Sequence, residues 1–65
     1  MDDLELKAFE TYTIEAYPRM GAEWGKCARE AILLAMAHWK NVEFVHNNRS
    51  YKVLINDLLT QVKEI

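Results

Sequence analysis

Val42-Glu43-Phe44-Val45-His46-Asn47-Asn48-Arg49-Ser50-Tyr51-Lys52-Val53 contains two β-rich runs separated by a pair of asparagines. Asn tolerates positive φ, so Asn47-Asn48 predicts a two-residue hairpin turn. Pairing His46 with Arg49 sets Phe44 opposite Tyr51, Glu43 opposite Lys52 and Val42 opposite Val53: an aromatic pair, an ion pair and a β-branched pair. A slip of one residue destroys all three, which fixes the register. The turn should then present His46 and Arg49 together at an exposed tip.

Upstream of the hairpin, residues from about Glu23 to Lys40 read as a helix, with Asn41 as a left-handed C-cap. At about 100° per residue, Trp24, Ala28, Ala31, Ala35, His38 and Trp39 share one side, flanked by Cys27 and Leu34 and widened by Ile32 and Met36. Leu33 and Ala37 fall instead among Lys26, Arg29, Glu30 and Lys40. A helix apolar nearly all round wants cover all round, and the rest of so short a chain is too little to provide it. A homo-oligomer with Leu33, Ala37, Ala28, Ala35 and Met36 at its interface is therefore expected. Gly21, Gly25, Ala28 and Ala35 form a small-residue edge suited to close approach.

The N-terminal stretch is open to two readings. Asp2 or Asp3 followed by Glu5 resembles a capping box, and Leu4, Ala8, Tyr12 and Ala16 recur at a spacing of four, which predicts a helix from Asp2 to about Tyr17. Thr11 to Tyr17 also alternates at period two, so a strand there is the rival. Pro18 ends either element, and Tyr17 to Ala22 is a turn. After the hairpin, Asn56 or Asp57 caps a short final helix, with Leu58, Leu59, Val62 and Ile65 on its apolar side. The expected class is α+β: two helices, a β-hairpin and a short C-terminal helix in one domain spanning residues 1–65.

Composition narrows the classes. The 65 residues are 51% hydrophobic with a net charge of −2 and seven aromatics (Trp 2, Tyr 3, Phe 2), too apolar for disorder. A domain this short buries only about 60% of its unfolded surface, and one cysteine makes no internal disulfide, so self-association is the expected source of extra stability. The longest apolar run, Ala31 to Ala37, is far below the roughly 18 residues of a membrane span. The acidic N-terminus is unlike a signal peptide, which points to the cytoplasm and to no membrane partner.

No catalytic set emerges. Cys27 and His38 lie about 16 Å apart along one helix, and Cys27, His38 and His46 lack the close pair of a metal site, so neither enzyme activity, cofactor nor metal is expected. Charge is uneven: residues 1–17 carry five acids and one base, while Arg19, Lys26, Arg29, Lys40, Arg49 and Lys52 leave residues 18–56 net positive. Arg29, Arg49, Lys52, Trp24, Trp39 and His46 are the candidate ligand-binding residues, the rings stacking a base and the cations meeting phosphates. A helix-plus-hairpin order also suggests a winged helix on duplex DNA, but a pI near 5.6 disfavours it.

The stretch Ala28-Arg29-Glu30-Ala31-Ile32-Leu33-Leu34-Ala35, followed by the hairpin, resembles the helix and hairpin of small phage-encoded accessory proteins. That resemblance implies a compact oligomer that blocks a host defence, acting in the host cytoplasm. Such a protein inhibits by capping a host protein or by sequestering a small anionic nucleotide signal.

Overall fold

A computed structural model describes residues 3–9, 12–56 and 61–65. The hairpin is where the sequence puts it. Strands β3 (Asn41–His46) and β4 (Arg49–Val53) pair antiparallel, with His46, Phe44, Glu43 and Val42 facing Arg49, Tyr51, Lys52 and Val53. Asn47 and Asn48 have φ of 49° and 64°, the two positive angles of a type I′ turn. The Phe44 and Tyr51 rings stack at 5.4 Å, and Lys52 Nζ lies 3.5 Å from Glu43 Oε1.

The hairpin belongs to a larger sheet. Instead of a helix over Asp2 to Tyr17, the chain forms β1 (Leu4–Phe9) and β2 (Thr13–Pro18), an antiparallel pair. The misleading signal was the spacing of four, which places residues on one side of a strand as well as on one side of a helix. The deciding pattern is the closer alternation: Ile14 and Ala16 are buried, while Thr13 and Glu15 between and beside them are not. Ile14 pairs with Val42 and Ala16 with Phe44, so β2 lies parallel to β3 and completes the core.

Between these parallel strands runs helix α1 (Trp24–His38), shorter at both ends than the sequence predicts. Its C-terminus is closed by Trp39, not Asn41. Trp39 has φ 52° and ψ 50°, and its N–H and that of Lys40 both donate to the Ala35 carbonyl. Asn41 instead opens β3, and its Oδ1 accepts a 3.0 Å hydrogen bond from the Ile55 amide. At the other end the chain turns through Gly21, whose φ of 81° suits glycine.

After β4 comes β5 (Val62–Glu64), antiparallel to it, where a helix was expected to carry Val62 toward Ile65. The expected cap at Asp57 and the apolar Leu58 and Leu59 lie outside the described residues. The sheet order is β1-β2-β3-β4-β5, one mixed five-stranded sheet with α1 on one face. Only one helix is present among the described residues, so the architecture is α+β with a single helix rather than two or three.

The core lies between α1 and that face. Leu4, Ile14, Val42, Phe44, Val53 and Ile55 from the sheet side meet Cys27, Ala28, Ala31, Leu34 and Ala35 from the helix. The small side chains on α1 let the helix sit low on the sheet, while Phe44 fills the space between. Burying a side chain such as Phe44 contributes about 1.5–3 kcal/mol. The opposite face of the sheet has no layer of described residues over it. Edge strand β1 carries an irregularity between Leu6 and Ala8, of the kind that blunts an edge against further pairing. No described helix is long and apolar enough to cross a membrane.

Candidate functional site

The predicted site residues fall on several different surfaces. Arg29 is exposed on α1, on the side turned away from the sheet. Lys52 points to the open face of the sheet, beside Glu43. Arg49 lies on the helix side of the same strand, one residue beyond the turn, with its guanidinium 3.8 Å from Glu64. Both of those side chains are exposed, so that pair adds little to stability.

His46 is less free than a hairpin tip suggests. Its Nε2 lies 2.9 Å from the Ala22 carbonyl. A carbonyl oxygen only accepts, so Nε2 carries the proton and donates, tying the tip to the loop entering α1. Trp24 meets Tyr51 edge to face, with centroids 5.4 Å apart, and so braces the junction of helix and sheet. These contacts use His46 and Trp24 within the fold.

Of the expected interface, Ala28 and Ala35 are buried in the chain's own core, because the sheet behind α1 is larger than a hairpin. Gly25 has open space beside it, so no element approaches the small-residue edge there. Leu33, Met36 and Ala37 are exposed. Leu33 is 50% exposed and Met36 58%, and helical phase puts both beside Lys26 and Arg29 on the outer face. Trp39 follows at the helix end with 72% of its surface exposed.

Cys27 is fully buried, its thiol 3.8 Å from the Asp3 carbonyl. Burial, then the nearby Asp3 and Glu30 charges, push its pKa up. This is the reverse of the environment that activates a nucleophilic cysteine. Glu30 serves the fold on this side, its Oε2 accepting a 2.9 Å hydrogen bond from the Asp3 amide.

The open sheet face was not singled out in the sequence. Glu15, Tyr17, Glu43, Val45, Ser50 and Ile65 line a shallow groove of about 520 Å³ across it. One available signal was Val45, an apolar residue on the polar side of the β3 alternation. Searches with the sequence and the structure found no matching protein-family model, curated protein or solved structure.

Proposed function

We propose that this chain is a non-enzymatic protein-binding domain, working as a homo-oligomer, that caps an acidic-rimmed apolar surface of another protein with the outer face of α1. The carrying observation is Trp39. A bulky residue at positive φ is a conformational outlier at a position where helices ordinarily use Gly. Here the strained residue also exposes the largest apolar side chain type. A strained backbone and an exposed indole at one position are the mark of a residue kept for contact rather than for folding.

Leu33 and Met36 add exposed apolar surface on the outer face of the helix that Trp39 terminates, and Lys26 and Arg29 give that face positive charge. Trp and Arg are the residue types that most often dominate protein interfaces. Acidic groups around an apolar centre are the complement of this face. The inhibitor role implied by the resemblance to phage accessory proteins, capping a host protein in the host cytoplasm, uses a surface of this kind. The same positive charges would meet in two copies packed helix to helix, which disfavours α1 as the contact between identical chains.

Sequestration of an anionic nucleotide is the runner-up. It needs Arg29, Arg49 and Lys52 to converge, and they lie on three surfaces, two of them beside carboxylates. A winged-helix reading needs at least a second helix to support a recognition helix, and the described residues hold one.

The test is affinity capture with three baits: the native chain, Trp39→Gly and Leu33→Glu. A partner held by the native chain and lost by both variants supports the reading. Capture unchanged by both, or a thermal-shift response to nucleotides that Arg29→Ala abolishes, overturns it.

A further inference from the structure

We propose that a second copy of this chain docks on the open face of the sheet, about a two-fold axis parallel to the strands between β3 and β4. The argument starts from one row of charges. Glu15 on β2 sits beside Glu43 on β3, Glu43 faces Lys52 on β4, and Lys52 faces Lys63 on β5. Glu43 and Lys52 are close enough to pair at 3.5 Å. From β2 to β5 the row thus runs acid, acid, base, base, with Lys7 of β1 lining the same groove beyond Glu15, outside the four strands that the two-fold overlays. Like charges on neighbouring strands are unfavourable, and Glu15 beside Glu43 is such a pair.

A two-fold axis along the strands reverses the order of the row in the second copy. Glu43 then faces the second copy's Lys52, and Glu15 faces its Lys63. All four charges meet their opposites through one operation. The next row along the same strands is mostly apolar: Tyr17, Val45, Ser50 and Ile65, with the Ile65 amide donating to the Ser50 carbonyl at 2.8 Å. Tyr17, Val45 and Ile65 are all exposed. The same axis keeps this row over itself, setting Val45 against Ser50 and Tyr17 against Ile65.

A two-fold interface must be complementary to itself, and few charged surfaces are. The outer face of α1, with Lys26 and Arg29, fails that requirement, whereas the sheet row meets it. The resulting assembly is two sheets packed face to face with strands aligned within about 30°, and with helices on the outside. Each copy keeps the outer face of α1 open.

The test uses two charge variants and sedimentation at micromolar concentration. Glu15→Lys with Glu43→Lys makes the row wholly basic, and Lys52→Glu with Lys63→Glu makes it wholly acidic. The native chain is expected at twice 7.6 kDa. Each variant alone is expected at 7.6 kDa, and an equimolar mixture at the doubled mass, because like charges across an interface are strongly disfavoured and opposite charges restore it. Val45→Arg, a change at an exposed position, is a second variant expected to be monomeric with an unchanged circular dichroism spectrum. A monomeric native chain, variants that self-associate like the native chain, a mixture that fails to associate, or dissociation by Leu33→Glu but not by Val45→Arg would each overturn the proposal.

Discussion

His46 Nε2 donates a 2.9 Å hydrogen bond to the Ala22 carbonyl, joining the end of β3 to the loop that enters α1. The contact spans two segments far apart in sequence, so it closes the fold at the hairpin end. His46→Ala is expected to cost about 1 kcal/mol, the usual worth of a hydrogen bond, plus the packing lost from a half-buried ring. Urea denaturation checks it: a midpoint equal to that of the native chain would remove the bond from the account.

Trp39→Gly separates strain from use. Gly enters the left-handed region freely, so the change is expected to stabilise the isolated domain by about 1 kcal/mol despite the lost side chain, most of which faces solvent. Thermal unfolding gives the sign directly. A loss of stability would mean that the indole packs for the fold and is not kept for contact.

Cys27 ties stability to alkaline pH. Its thiol is raised above the ordinary value of 9.0, so between the unfolded and folded values the native chain holds a proton that the unfolded chain has released. Stability from this group is therefore fully present below about pH 9.0 and declines as pH rises through the folded value. Cys27→Ala should flatten that alkaline decline. The same burial predicts slow reaction with a thiol reagent at neutral pH, accelerating on unfolding.

Ala31 is fully buried in the middle of α1, in the core that the helix shares with the sheet. Ala31→Leu inserts a larger, branched side chain at a fully buried position, and is expected to destabilise by about 1–3 kcal/mol. Chemical denaturation of the variant measures it. An equal or higher midpoint would show that α1 can rise from the sheet at little cost.

The hairpin was legible because every determinant is local: Asn47 and Asn48 supply the turn, and three cross-strand pairs agree on one register. The class, α+β, followed from it and from the periodicity of α1. The first two strands were not, since a spacing of four is compatible with either period, and what fixes them is pairing: β1 with β2 and β2 with β3. β5 is three residues long and is defined by its pairing with β4, which no local pattern announces. For the site, helical phase was enough to place Leu33 and Ala37 outside, whereas Met36, counted with Ile32 on the apolar side, is exposed. Ala28 and Ala35 went to the wrong side of the argument because the sheet that covers them was not foreseen. The charge row Glu15, Glu43, Lys52, Lys63 draws on three separate segments and exists only once their registers are known.

The parallel neighbours β2 and β3 also set the order in which the chain can assemble. β3 and β4 meet across two residues, a closure that hairpins complete in about 1–10 μs. Ile14 reaches Val42 only after the whole of α1 and both of its connections have been enclosed in one loop, and parallel pairing earns no stabilising contact until that entropy has been spent. The barrier to folding should therefore sit at the docking of β2 beside β3. Ile14→Val is expected to slow refolding, whereas Lys52→Ala, in a ribbon already closed, should alter the rate little.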